Sequence, residues 1–175
     1  MTTVEVLERI KEFLQTNVCN RIKLQKPNDK NVDSYELVNP IAHIGWIPQK
    51  GFLPNKLDYT IPCLVVGMDE ANDDGQDCSI PIRISAVVYS PGLHVKKDDG
   101  SIVYTPDFQG YIDLLNLIDR TRAEIAKNHI LNGVSIEYPI RWGMYQEEQP
   151  YPYWYGWIVF SVRIQAYPKA KVNLD

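Results

Sequence analysis

The sequence predicts an α+β domain in which a mainly antiparallel sheet is packed on one face by a long helix. Residues 79–89 and 154–167 alternate apolar and polar side chains with the period of two that is typical of a strand with one buried face. Between them, residues 110–131 repeat apolar side chains at helical spacing over about six turns, enough to cross a sheet. Short links between successive strands favour antiparallel pairing. The predicted order is α-β-β-α-β-β, with a long irregular insertion after the first helix.

The first predicted element is an amphipathic helix over residues 3–16. Thr2 followed by Glu5 has the spacing of a capping box, in which a hydroxyl and a carboxylate satisfy backbone N–H groups that the first turn leaves unbonded. The apolar side chains near one stripe of the helix are Val4, Leu7, Ile10 and Leu14. We expect this stripe to pack against the sheet.

A long irregular insertion, residues 20–58, follows the helix. Four prolines punctuate it, and we expect it to contain at most short strands. A loop of this length is uncommon inside a compact domain and is often functional. With the rest of the chain, it makes one predicted domain over residues 1–168, followed by a loose C-terminal tail over residues 169–175.

Two hairpins are predicted next. Residues 59–68 and 79–89 form the first, and its connecting loop carries five carboxylates: Asp69, Glu70, Asp73, Asp74 and Asp77. The apolar parity of its second strand is Ile80, Ile82, Ile84, Ala86 and Val88. A smaller hairpin over residues 94–104 turns at Asp98-Asp99-Gly100, because Asp-Gly suits the positive φ angles of tight turns.

The long helix is predicted to begin with Thr105 as its N-cap and Pro106 at its first position. Asn132-Gly133 is the predicted stop. The residues at helical spacing are Tyr111, Leu114, Leu115, Ile118, Ile125 and Ile130. Two strands, residues 135–145 and 154–167, close the chain.

The last strand has two distinct faces. Its apolar parity is Trp154, Ile158, Phe160, Val162 and Ile164. The other parity begins with Tyr153, Tyr155 and Trp157 and ends with polar residues. So much rigid aromatic surface suggests a sheet that meets something, a second copy of the chain being one candidate.

Composition narrows the class of protein. The 175 residues suit one domain, and a net charge of −4 argues against general nucleic-acid binding, which needs a basic excess. The apolar runs are far shorter than the roughly 20 residues that cross a bilayer, and residues 1–6 do not resemble a signal peptide. Three cysteines without Cys-x-x-Cys spacing suggest free thiols in a reducing compartment.

The sequence motifs favour neither a catalytic site nor a metal site. The acidic loop resembles a cation site, but placing Gly75 at the sixth position of an EF-hand loop puts Pro81 where a bidentate Glu is required. A solvated hairpin tip is the simpler interpretation. The three histidines lack metal-ligand spacing, and neither a Gly-x-Ser-x-Gly elbow nor a phosphate-binding Gly-rich loop occurs. We therefore expect no catalytic residue, no metal and no cofactor.

Taken together, the order of elements resembles the tail terminator, or tail completion, proteins of long-tailed bacteriophages and prophages. The likeness covers residues 60–167. It includes Tyr89-Ser90-Pro91-Gly92 leading toward the long helix, the segment Ile140-Arg141-Trp142-Gly143, and the aromatic entry Tyr151-Pro152-Tyr153-Trp154-Tyr155-Gly156-Trp157. Residues 20–58 look like an addition to the family pattern.

This resemblance implies a structural virion protein of the tail or neck, assembled in the host cytoplasm. Such subunits close into a ring, commonly a hexamer, that caps the last tail-tube ring and offers a surface to the head–tail connector. DNA passes through the lumen without specific binding. The implied subunit-interface residues are Trp157, Tyr155, Tyr153, Arg120, Arg122, Glu124 and Lys127. The five carboxylates of the acidic loop would line the lumen or meet a neighbouring ring.

Three other interpretations remain open at this point, one of which is an enzyme whose site is assembled from residues far apart in the sequence. The chain could be another neck, head-completion or baseplate subunit of a virion. Alternatively it could be a small ligand-binding module that stacks sugars or bases on its aromatic side chains.

Overall fold

The computed structural model describes residues 1–28, 30–32, 34–46, 61–145 and 148–167, and these form a mixed, mostly antiparallel sheet with two helices. The α+β class is therefore confirmed. The elements in chain order are α1 Thr3–Asn17, β1 Leu24–Gln25, β2 Leu37–Val38, β3 Ile41–Ile44, β4 Cys63–Met68, β5 Asn72–Asp73, β6 Asp77–Tyr89, β7 Leu93–Lys96, β8 Ile102–Thr105, α2 Gln109–Lys127, β9 Ile130–Leu131, β10 Val134–Met144 and β11 Tyr153–Gln165. A short 3-10 helix, Cys19–Arg21, follows α1.

The main sheet is built around the two long strands that the sequence predicts. Its order is β3-β4-β6-β11-β10-β9, with β5 paired to the start of β6. β6 and β11 run antiparallel in register from Asp77 opposite Gln165 to Tyr89 opposite Tyr153. The predicted β4–β6 hairpin is confirmed, although the first residues of its predicted first strand, 59 and 60, lie outside the described residues.

Both helices pack on the same face of this sheet, because their apolar side chains belong to one buried cluster with the even-numbered residues of β6 and β11. The predicted parity of both strands is confirmed. The capping box of Thr2 and Glu5 is also present, with the Glu5 N–H donating to Thr2 Oγ1 at 3.2 Å. The predicted stripe of α1 needs one correction. Val4 is exposed, and the fully or nearly fully buried residues of this helix are Val6, Ile10, Phe13 and Leu14.

The bounds of α2 differ from the prediction at both ends. The helix begins at Gln109 after Phe108, and Thr105 is not its cap, because Thr105 pairs with Leu93 in the β7–β8 hairpin. The helix ends at Lys127. Tyr111 and Ile130, which the spacing assigns to the inner stripe, are exposed; the buried side chains are Leu114, Leu117, Ile118, Thr121 and Ile125.

Asn132-Gly133 is a hairpin turn rather than a helix stop. Both residues have positive φ, 49° and 87°, the pattern of a two-residue type I′ turn, and they connect β9 to β10. The turn also holds α1 in place. Arg9 Nη1 donates to the Asn132 carbonyl oxygen at 2.9 Å, and Asn132 Nδ2 donates to the Arg9 carbonyl oxygen at 3.1 Å.

The insertion contributes a strand to the main sheet. β3 pairs with β4 in parallel, with Ile41 opposite Cys63 and Ile44 opposite Val66. Its outer edge is partly closed, because the N–H of Ala42 donates to Gln15 Oε1 of α1 at 2.9 Å. The rest of the predicted insertion from residue 47 onward, and the predicted tail over residues 169–175, lie outside the described residues.

Candidate assembly surfaces

The predicted aromatic residues of β11 lie on the sheet face opposite the helices. Tyr153, Tyr155 and Trp157 are half-buried there, and they alternate with Trp154 and Ile158, which face the helices. Tyr155 packs on a second, smaller apolar cluster around Val87. Burial is also the main cause that raises the pKa of Tyr155.

Each of these three aromatic residues already has a contact within the chain. The indole Nε1 of Trp157 donates to the Met144 carbonyl oxygen at 3.3 Å. The backbone N–H of Tyr155 donates to Gln149 Oε1 at 2.6 Å. The ring of Tyr153 meets that of Tyr89 edge-on, with centroids 5.2 Å apart. These contacts therefore help to hold β11 against β10, β6 and the segment that precedes β11.

A cleft of about 360 Å³ opens on the same face. Its polar lining includes Arg83, Ser85 and Tyr145, and Ser85 Oγ lies 3.0 Å from Tyr145 Oη. The hydrogen-bond partner of this serine is a phenol hydroxyl, so the pair lacks the imidazole or carboxylate base that activates a serine nucleophile. The arrangement can hydrogen-bond a polar group; it is not a nucleophile–base pair.

The described cysteines are buried, and burial raises the pKa of two of them. Cys19, Cys63 and Cys78 are all buried and unpaired. Burial raises the pKa of Cys19 to about 12 and that of Cys63 to about 12. A thiol of that pKa is almost entirely protonated at neutral pH and is therefore a poor nucleophile. Among the described residues, no group of three or more His, Cys, Asp or Glu side chains is placed to hold a metal ion.

The predicted charged face of α2 divides into two flanks. Arg122 faces β10, and its guanidinium carbon lies 3.1 Å from the centroid of the Trp142 ring. The same guanidinium donates to Asp119 Oδ1 at 2.7 Å. Arg120 and Glu124, one turn apart, lie on the other flank by helical spacing. The exposed Lys127 ends the helix, where a cation complements the helix dipole.

The two predicted groups of interface residues therefore do not form one surface. The aromatic residues of β11 lie on the face away from α2, whereas the charged residues of α2 lie on the helix-covered face. If both groups contact other subunits, they contact different parts of those subunits.

A groove of about 790 Å³ lies between α2 and β10, and sequence reasoning did not find it. Its apolar lining is mostly exposed to solvent, at Ala123, Ala126, Tyr138, Pro139 and Trp142, whereas Ile140 is half-buried and packs against the core. The groove depends on a bulge. The register shifts between Glu137, opposite Ser161, and Arg141, opposite Val159, so residues 138–140 stand opposite one residue of β11. Pro139 within this segment was the one local signal, since proline in a strand marks an edge or a bulge.

The same strand has an unpaired edge. β9 pairs only with Val134 and Ser135, and no other strand in the described part of the chain pairs with the outer edge of β10. After the bulge, Arg141 to Met144 return to regular pairing with β11 on the inner side. An exposed edge beside an apolar groove can accept a strand from another chain.

The acidic loop is folded around its own carboxylates. Arg83 Nε donates to both oxygens of Asp69, at 2.9 and 3.1 Å, and these bonds lower the pKa of Asp69. Asp73 Oδ1 accepts the Gly75 N–H, and Asp74 Oδ1 accepts the N–H groups of Gln76 and Asp77. Glu70 is exposed. Two of the five carboxylates, Asp73 and Asp74, therefore accept hydrogen bonds within the turn, and a third, Asp69, forms an ion pair with Arg83.

Comparison with known proteins does not assign this chain to a family. No protein-family model matches this sequence, and no curated protein sequence matches it significantly. Among the described helices, none is both long enough and apolar enough to cross a membrane.

Proposed function

We propose that this chain is a structural subunit of a phage or prophage tail that caps the end of the tail tube, stops its polymerisation and forms the joint to the head–tail connector. In this proposal the subunit follows the pattern α-β-β-α-β-β, with the long helix over one sheet face. Copies of the subunit close into a ring, which we take to be a hexamer. The ring belongs to the neck of the virion and assembles in the host cytoplasm.

The unpaired edge of β10, with the apolar groove beside it, is the observation that carries this proposal. Trp142 and Tyr138 are exposed there, at 45% and 58% of their surfaces. Exposed edges are usually blunted in monomeric proteins, because they invite pairing with other chains. Here the opposite edge is partly closed by Gln15, while the outer edge of β10 beyond Ser135 pairs with no strand that the structure describes. A subunit that assembles into a closed ring can use such an edge to contact the next copy.

The acidic loop has a place in the same proposal. With Glu70 exposed, and Asp73 and Asp74 held in turns at its tip, the loop would present negative charge to passing DNA if it lines the lumen. Like charges repel the phosphate backbone, so DNA would pass without being bound.

The test of the function is tail-tube length. Purified tube protein polymerises in the presence and absence of this chain, and electron microscopy measures the tube lengths. We expect shorter tubes with a cap of extra density at one end. Tyr138→Ser, in the groove, should reduce capping at least several-fold. Tyr167→Ser, which also removes an exposed tyrosine but lies outside the groove, is the matched control.

The role of the acidic loop needs a second assay. Glu70→Gln, Asp73→Asn, Asp74→Asn and Asp77→Asn together remove charge, while asparagine keeps the side-chain oxygen that accepts the turn bonds. We expect the substituted chain to cap tubes normally and to lower the yield of heads joined to tails. Unchanged tube lengths with the unmodified chain would contradict the function itself.

The cleft near Ser85 and Tyr145 supports a second candidate, a ligand-binding module. Its volume suits a small ligand, and Tyr155 and the exposed Trp46 supply aromatic surface. A screen of mono- and oligosaccharides by calorimetry separates the two functions. Saturable binding that Trp46→Ala abolishes, together with no effect on tubes, would favour the module.

A further inference from the structure

A second exposed apolar surface lies on the small hairpin β7–β8, which we call the arm. The arm forms a two-stranded sheet separate from the main one, with Leu93 opposite Thr105 and Val95 opposite Val103. These pairs place Leu93, Val95 and Val103 on one face, by the alternation of strands. All three are exposed, at 49%, 49% and 37%. Two-stranded hairpins with an exposed apolar face are marginal unless something packs on them.

The other face of the arm is fixed to the body of the subunit. His94 Nε2 lies 2.6 Å from the Val32 carbonyl oxygen, and the imidazole packs between the rings of Tyr35 and Tyr104. Tyr104 Oη donates to the Pro91 carbonyl oxygen at 2.8 Å. The arm is thus held in one orientation by its inner face, and its apolar outer face is presented to solvent.

The arm and the β10 groove are complementary in their strand edges and in their apolar side chains. The groove offers an apolar lining and, from Arg141 to Met144, four residues of strand edge whose outer side pairs with no strand among residues 61–145 or the other described segments. Each strand of the arm is four residues long and, among the described residues, has one unpaired edge beside its apolar face. The β10 groove can accept a strand with apolar side chains, and each strand of the arm is a strand of that kind.

We propose that the arm of one copy lies along the edge of β10 in the next copy, with Leu93, Val95 and Val103 in the groove between α2 and β10. This inference rests on the self-association required by the proposed function and names the contact that produces it. The contact is head-to-tail, so each copy uses its arm on one side and its groove on the other. Repetition of such a contact around an axis closes a ring.

One observation favours the arm over a second groove as the occupant. A symmetric groove-to-groove pair would cover β10 but leave the outer face of every arm exposed.

Directed disulfide cross-linking tests the contact. The three natural cysteines are buried, so thiols introduced on the surface react first. Val95→Cys places a thiol on the arm, and Ala123→Cys places one in the groove. The two single variants, one carrying a mass tag, are mixed and oxidised. We expect mixed dimers at least fivefold in excess of either homodimer, whereas the doubly substituted chain should give a ladder of higher oligomers.

The matched control replaces Ala123→Cys with Glu12→Cys, a thiol on the exposed side of α1. Mixed dimers no more abundant than with this control would overturn the contact, as would Ala123→Cys homodimers in excess of mixed dimers. A second variant, Val95→Asp with Val103→Asp, changes only exposed side chains. It should shift the sedimentation coefficient of the protein toward that of a monomer without changing its circular dichroism; an unchanged oligomer would also contradict the contact.

The outcomes separate this inference from the proposed function. Cross-links between arm and groove in a protein that leaves tube length unchanged would keep the contact and reject the capping function. Shortened tubes without arm–groove cross-links would keep the function and reject this contact.

Discussion

The guanidinium carbon of Arg122 lies 3.1 Å from the centroid of the Trp142 ring, so a residue in the middle of α2 stacks on a residue at the edge of the sheet. Asp119, one turn earlier, accepts a hydrogen bond from the same guanidinium at 2.7 Å. All three side chains line the apolar groove between α2 and β10. The relationship joins the fold to the proposed assembly surface, because the same stacking that fastens α2 to β10 also orients Trp142.

Arg122→Ala should therefore destabilise the subunit as well as loosen the groove. A cation–π contact at an exposed site is worth about 0.5–1 kcal/mol, and the loss of the pair with Asp119 adds a few tenths of a kcal/mol. Urea unfolding of the purified chain measures the difference. Arg120→Ala, on the exposed opposite flank of α2, is the control, and an equal loss in both variants would show that the stacking contributes nothing specific.

Gly110→Ala should destabilise the protein by more than about 2 kcal/mol, although alanine in a helix is intrinsically favoured over glycine by about 1 kcal/mol. The reason is packing. A Cβ at position 110 would lie 1.9 Å from Nε1 of Trp154. That indole is buried and donates to the Ser90 carbonyl oxygen at 3.1 Å, so it has little freedom to move. Thermal unfolding measures the loss, and Asn116→Ala on the exposed side of the same helix should show none.

The ion pair of Asp69 and Arg83 predicts a pH dependence. Hydrogen bonds from Arg83 hold the pKa of Asp69 below its ordinary value. The stabilisation is fully present above the unfolded-state pKa of Asp, about 3.9, and is lost as pH falls through the lower folded-state pKa. Because both side chains are partly exposed, we expect about 0.5–1 kcal/mol.

Asp69→Asn should remove that contribution near pH 7 and make no difference at a pH below the folded-state pKa. Guanidinium chloride is unsuitable because its ions screen the pair, so urea unfolding at both pH values is the measurement. Glu70→Gln removes the adjacent, exposed carboxylate and serves as the control. A loss for Asp69→Asn that is the same at both pH values would assign the effect to something other than the charge.

Gly133→Ala should destabilise the β9–β10 turn through two separate effects. At φ of 87° an L side chain is strained, at roughly 1 kcal/mol, and the new Cβ would lie 2.7 Å from Arg9 Nη1. Gly100→Ala shares the positive φ of 83° but meets nothing within 4 Å. The difference between the two variants in urea unfolding isolates the contact with α1. Equal losses would show that Arg9 moves aside freely.

Local sequence signals were sufficient for several elements. The alternation in β6 and β11 predicted which side chains face the core, and the structure confirms it because a strand with one buried face requires a period of two. Thr2 and Glu5 predicted the start of α1 through bonds that span three residues. Asp99-Gly100 predicted the turn of the arm, where Gly100 has the positive φ that such a turn requires.

Signals with two possible meanings were misassigned. Asn132-Gly133 suits both a helix end and a type I′ turn, and pairing of β9 with β10 decided between them. Thr105 suits an N-cap, but its pairing with Leu93 places it in a strand. In each case the deciding partner is another strand, and local propensity yields to that pairing.

The chain alone therefore specified the fold class, the buried faces of its two long strands and the abundance of aromatic surface, because these depend on the order and period of side chains. Folding in three dimensions determined where that surface lies. The bulge at residues 138–140 opened the groove, and the alternation of β11 turned Tyr155 and Trp157 away from α2. Distances between residues far apart in the chain are set by packing, so the pairing of Trp142 with Arg122 became visible only once the sheet and the helix were brought together.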